Sequence, residues 1–257
     1  MSESGVVFLM YHELELPGRE LCQREPGYVR YVLHTADFRS QMELLKSSGM
    51  RGTSVGEALG SFPDNTAVVT FDDGSETDLI AAAPALCDFN FGATFYLTYG
   101  FLGTNGFLSH AQARELSGLG FEIGCHSMTH PYLTDLDDVG LHREIAVAKD
   151  QLEQMLGKPI HHFSCPGGRY NHRVAAVARQ AGYRSVVTSR VQKNFPSTDR
   201  MALGRVSVMR TTSLSTFRDF FRGRNFWRMN VQNQLISGAK TLLGNSLYDR
   251  LRGALLR

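Results

Sequence analysis

Two short motifs carry groups that could do chemistry together. Thr70-Phe71-Asp72-Asp73-Gly74 sets two carboxylates side by side at the end of the apolar run Ala67-Val68-Val69-Thr70-Phe71. His126-Ser127-Met128-Thr129-His130-Pro131 sets two imidazoles four residues apart, just after the apolar run Phe121-Glu122-Ile123-Gly124-Cys125. One Asp and two His make a three-ligand set for a divalent ion with a position left open. The spare carboxylate can then act as a general base on water. Each motif also has an ordinary reading: Asp-Asp-Gly suits a turn, and two His at this spacing can be unrelated surface residues. Their joint placement behind strand-like runs is what points to a metal-dependent hydrolase, because catalytic groups gather on loops at the C-terminal ends of parallel strands.

The elements that must position these motifs alternate in type. Strand-like runs cover 6–11, 67–71, 93–98, 121–125, 161–165, 184–188 and 204–208. Helical patterns fall between them: Phe38, Met42, Leu44 and Leu45 share a face that Gly49 ends, and 76–89, 109–119, 138–156 and 172–181 also read as helices. Strands alternating with helices imply parallel βαβ units in an α/β barrel or sheet. Residues 13–35, with Pro17, Gly18, Pro26 and Gly27, read as a long loop near the site.

The two motifs in this order resemble the polysaccharide deacetylases, the superfamily of chitooligosaccharide and peptidoglycan deacetylases, over roughly positions 5 to 215. The resemblance implies a distorted (β/α)7 barrel. It also implies that Asp72 is the base and that Asp73, His126 and His130 are the metal ligands, with Ser127 orienting the His loop. A third family motif, Arg-x-Pro-[Phe/Tyr]-Gly, is altered here to Ser164-Cys165-Pro166-Gly167. Ser164 stands where the Arg would be, and Arg190, Arg205 or Arg169 is left to pair with the catalytic Asp. Pro166-Gly167-Gly168-Arg169-Tyr170-Asn171 looks more like the branch that deacetylates poly-N-acetylglucosamine exopolysaccharides. In the family a backbone N–H after this Pro helps hold the oxyanion, a task that Gly167 could still perform. Ser127, Pro166, Tyr170, Asn171 and Arg190 are the expected substrate-binding residues. No His follows His172 to supply the family's Leu-x-His acid. The strand ending Tyr11-His12 resembles the start of the exopolysaccharide branch, so His12 is the expected general acid, a role that suits an imidazole.

The implied reaction is removal of an N-acetyl group from an N-acetylated sugar, in a polysaccharide or a lipid-linked glycan precursor, with release of acetate. Zinc is the default ion; Co2+, Ni2+, Mn2+ and Fe2+ suit the same ligands. Rival readings are a same-fold amidohydrolase on a non-sugar amide and a catalytically inactive carbohydrate-binding homologue.

Composition agrees with a globular catalytic domain: 257 residues, 42% hydrophobic and 20% charged. The first residues lack a positive n-region and a long apolar stretch, so a cytoplasmic location is expected. Cys22, Cys87, Cys125 and Cys165 form no Cys-x-x-Cys pair and read as single buried thiols. Residues 1–216 read as the catalytic domain and 217–257 as a C-terminal amphipathic helical extension. That extension holds eight basic residues against Asp219 and Asp249, although the whole chain is only +2. Phe217, Phe220, Phe221, Phe226 and Trp227 are interleaved with its arginines, and apolar residues from Leu235 to Leu255 recur at helical spacing. It reads either as a helix lying on the inner face of an anionic membrane or as one packed on the barrel. Nucleic acid is not an expected partner, because the rest of the chain is acidic and carries no binding motif. The oligomeric state has no signal in the sequence.

Overall fold

A computed structural model describes residues 5–226. The strands are β1 Val7–Tyr11, β2 Leu14–Glu15, β3 Leu33–His34, β4 Arg51–Thr53, β5 Thr66–Asp73, β6 Thr94–Leu97, β7 Glu122–Cys125, β8 His162–Ser164, β9 Ser185–Val187 and β10 Val206–Ser207. β1 and β5 are buried along their whole length, which is why they read as unbroken apolar runs rather than as alternating ones. The main sheet is parallel, in the order β10-β1-β5-β6-β7-β8-β9. A parallel bridge from Val187 to Leu203, just ahead of β10, joins the two ends of this path into a ring. β4 pairs with Thr66–Val68 of β5, and β6 takes over from Thr70 onward. One side of β5 is therefore shared by two strands, and the barrel is distorted there. This is the expected α/β barrel.

The helices lie outside the strands and bury one face each. Thr35–Ser47 buries Phe38, Met42 and Leu45. His110–Gly118 starts with a capping box between Ser109 and Gln112. Two of the expected helices contain a π-turn, at Asp78–Ala82 and at Arg143–Val147. Residues 51–61 hold a short strand and a helix, Val55–Ser61, that the apolar pattern is too brief to signal. Segment 13–35 is less irregular than its composition suggests: β2 pairs with β3, and Pro26–Val29 forms one helical turn.

Helix Leu214–Phe221 crosses the expected 216/217 division. Its Phe217, Phe220 and Phe221 are buried in the core, and Phe226 packs against it, so these rings are core residues rather than part of a surface stripe. Trp227 and the apolar stripe from Leu235 to Leu255 lie outside the described residues. Among the described residues no helix is long and apolar enough to cross a membrane. All four cysteines are free; Cys125 and Cys165 are buried as expected, while Cys22 is half-buried and Cys87 exposed.

Candidate active site

The C-terminal ends of β1, β5 and β7 bring the two motifs and His12 to one place. Asp72 and Asp73 are the last residues of β5, so successive side chains leave on opposite faces of the strand. Asp73 (φ 81°), Ser127 (φ 71°) and His130 (φ 65°) all have left-handed backbone. Each such residue costs on the order of 1–3 kcal/mol, and such residues cluster at functional sites. Glycine would relieve the strain but would remove the candidate ligand atoms of Asp73 and His130 and the loop-closing hydroxyl of Ser127.

Three features fit a divalent ion at Asp73, His126 and His130, whose ligand atoms all lie within 4.8 Å of one another. Asp73 Oδ1 is buried with no hydrogen-bond partner among the described residues. It lies 3.5 Å from His126 Nε2 and 3.4 Å from His130 Nε2. Two ligands each about 2.1 Å from a tetrahedral ion stand about 3.4 Å apart. The third feature is an outer contact: His126 Nδ1 donates to Ser164 O at 2.9 Å, which turns the Nε2 lone pair toward the site. Burial lowers the His126 pKa to about 4, so its ring is neutral and ready to ligate near pH 7.

Asp72 is held differently. Arg205 grips it with two bonds, Nη1 to Oδ1 and Nη2 to Oδ2, both 2.7 Å. Arg205 Nη1 also donates to Thr70 Oγ1, Nη2 to Ser164 Oγ, and Nε to Thr188 O. Both partners are buried. Burial alone would raise the Asp72 pKa, but Arg205 and then His126 outweigh it and hold the carboxyl well below the usual range. Arg205 is thus the arginine that pairs with Asp72. Arg190 is exposed and contributes its backbone instead: its carbonyl accepts from Arg205 N at 2.9 Å. Ser164, small where the family has Arg, receives the guanidinium that arrives from the β9–β10 connection.

The other expected residues divide into those facing the site and those supporting it. The His12 ring lies 4.9 Å from that of Tyr31, and its Nδ1 is buried without a hydrogen-bond partner among the described residues. Burial lowers the His12 pKa, partly offset by Asp73 and Asp72. Gly167 sits at φ 57° in the turn Pro166–Gly168. The N–H groups of Gly168 and Arg169 are engaged within that turn, while the Gly167 N–H has no backbone partner among the described residues. Three of the expected substrate residues have supporting contacts within the protein. Ser127 is fully buried and accepts from His130 N at 2.9 Å, which closes the His loop. Pro166 is buried. The Asn171 side chain caps helix His172–Gln180 by accepting from Val174 N. Tyr170 is partly buried and packs on the core.

Glu144 had no signal in the sequence. It lies in the π-turn Arg143–Val147, and its carboxylate accepts from Met128 N, Thr129 N and Thr129 Oγ1 at 2.7–3.0 Å. These bonds fix the loop between His126 and His130. Glu144→Ala is expected to weaken metal binding roughly 10–100-fold, as loss of outer-shell support generally does. Equilibrium dialysis against a buffered metal checks this, and unchanged affinity would show that the loop holds its shape unaided.

Comparison with known proteins agrees with this geometry. Residues 60–186 match the polysaccharide deacetylase family. A peptidoglycan-N-acetylglucosamine deacetylase of Bacillus cereus is 32% identical over 130 residues, covering 49% of this chain and 59% of that protein. The Bacillus subtilis protein YxkH is 29% identical over 150 residues, covering 58% of this chain and 54% of that one. The chain therefore spans a little over half the length of these curated relatives. The Streptococcus pyogenes deacetylase PplD superposes with a TM-score of 0.75 at 21% identity, over 86% of this chain and 99% of that one. IcaB of Ammonifex degensii superposes at 0.71 and 24% identity, over 85% of this chain and 97% of that one. These two structures share the fold. Over residues 60–186 the chain resembles the polysaccharide deacetylases in sequence, and it shares their fold.

Proposed function

We propose that this chain is a metal-dependent N-deacetylase acting on an N-acetylated sugar and releasing acetate. The observation that carries the reading is the division of labour at the end of β5. Asp73 offers an unpartnered buried oxygen beside two imidazoles, while its neighbour Asp72 is kept ionised by Arg205. Asp73, His126 and His130 hold the ion, with zinc the first choice for this donor set. Bound there, it supplies a Lewis acid for the acetamide carbonyl and lowers the pKa of water.

Asp72 accepts the proton of the attacking water; its fixed carboxylate cannot swing away, because Arg205 binds both oxygens. The Gly167 N–H faces the developing oxyanion, as a preorganised backbone donor. His12 gives its proton to the departing amine, with the Tyr31 ring packed 4.9 Å from its own. Acetate release from N-acetylglucosamine oligomers, with and without a chelator, tests the reading. Release that chelation abolishes supports it; a metal-loaded protein that frees no acetate from any N-acetylated sugar would overturn it.

A further inference from the structure

The walls of the site are aromatic, yet two of them are capped by guanidinium groups. Tyr31, against His12, has the Cζ of Arg30 5.0 Å from its ring centroid. Tyr132 lies beside the oxyanion turn, since a Cβ on Gly167 would come within 2.9 Å of its ring. Tyr132 has the Cζ of Arg169 4.9 Å from its own centroid. A ring face covered by a guanidinium is not available for a neutral sugar to stack upon. What it offers instead is a positioned cation, with the ring holding the side chain still.

The charges around these arginines sharpen the point. Arg30 has no carboxylate within ion-pair distance among the described residues; its guanidinium contact is Met209 Sδ at 3.2 Å. The carboxylate of Glu15, near the same strand end, is already committed to Arg210 at 2.6 Å and to His34 at 2.8 Å. Within the site, Asp72 is neutralised by Arg205. An uncompensated guanidinium one ring away from the general acid is out of place around a neutral oligosaccharide. It suits an anion, which it can bind with two parallel hydrogen bonds.

Resting on the deacetylase reading, we propose that the sugar this site accepts carries an anionic substituent, a phosphate ester or a carboxylate. Arg30, capping Tyr31, is the specificity residue that receives it. The reaction is unchanged: the amide C–N bond is hydrolysed and the anionic group stays on the sugar.

Binding of deacetylated products by the metal-loaded full chain tests this without turnover. By calorimetry, glucosamine phosphorylated at its anomeric oxygen is expected to bind at least about tenfold more tightly than glucosamine, as one charge-assisted contact allows. Muramic acid, the carboxylate arm, shows which anion is preferred. Arg30→Gln should remove most of the advantage and Arg30→Lys should keep part of it. Arg39→Gln, at an exposed arginine paired with Asp88, should leave it intact. Equal affinity for charged and neutral sugars would overturn the proposal. So would an advantage that survives Arg30→Gln, because the metal itself would then be the anion's partner. A preference for the anionic sugar without acetate release from its N-acetylated form would overturn the deacetylase reading and leave this one standing.

Discussion

Replacing Arg205 with alanine is expected to cost about 3–5 kcal/mol of stability and to move the acid limb of activity to higher pH. Removing one partner of a buried ion pair leaves a charge with no compensation, which is what makes the loss this large. Arg205 and Asp72 are both buried, and the pair is joined by two 2.7 Å bonds. Thr70 and Ser164, its hydroxyl neighbours, cannot supply the missing charge. In the intact protein the carboxyl pKa lies below its unfolded value. The pair therefore contributes its full stability above the unfolded carboxylate pKa of about 4 and loses it only as pH falls toward the folded pKa. Without Arg205, burial is left to dominate and the pKa of Asp72 rises instead. A base that must be ionised then fails at a higher pH than before. Arg205→Lys should recover only part of the loss, since an ammonium cannot match the two-pronged geometry. Denaturant unfolding across pH, together with the pH dependence of kcat/KM, reads both effects. Stability within about 0.5 kcal/mol of the parent protein would show that water reaches Asp72 and replaces the arginine.

Asp72→Asn is expected to remove about 10²–10⁴-fold in turnover, the usual contribution of a positioned base, while bound metal stays at its full amount. The amide keeps the shape of the carboxylate but cannot accept the proton. Asp73, His126 and His130 still form the ligand cluster. His12→Ala should cost about as much through the other half of the proton traffic, and should abolish the alkaline limb of the pH profile that its titration sets. Turnover and elemental analysis on the same preparations separate the roles. An Asp72→Asn protein that loses metal along with activity would make Asp72 a ligand rather than a base. A His12→Ala protein with full activity and an unchanged profile would place the acid elsewhere.

What could be read in the sequence was local. Asp72-Asp73 and His126-x-x-x-His130 fall within single turns at strand ends, so their spacing alone brings the groups together. The seven strands of the ring lie close to their expected ranges, because buried parallel strands are continuous apolar runs. Arg205 is different: it meets Asp72 across 133 positions, and nothing local separates it from Arg190 or Arg169. Glu144 reaches the His loop from a π-turn that the helical pattern hides. Ser127, Pro166 and Asn171 sit in or beside the motifs, and that position is all that marks them for substrate in the sequence. The structure spends them on turn closure, burial and a helix cap. The aromatic residues of the C-terminal segment show the same limit. Phe217, Phe220 and Phe221 alternate with charges as a membrane-lying helix would, but that pattern is equally the inner face of a helix packed on the barrel.

Asp73, His126 and His130 are expected to hold one ion on which deacetylation depends. This is tested most directly by adding zinc in steps to metal-free protein and following bound metal and acetate release together. The initial rate should rise in proportion to bound metal and stop rising at one equivalent, with His130→Ala showing neither the binding nor the rise. Acetate release at full rate before any metal is added, or stoichiometric binding that His130→Ala leaves intact, would contradict it.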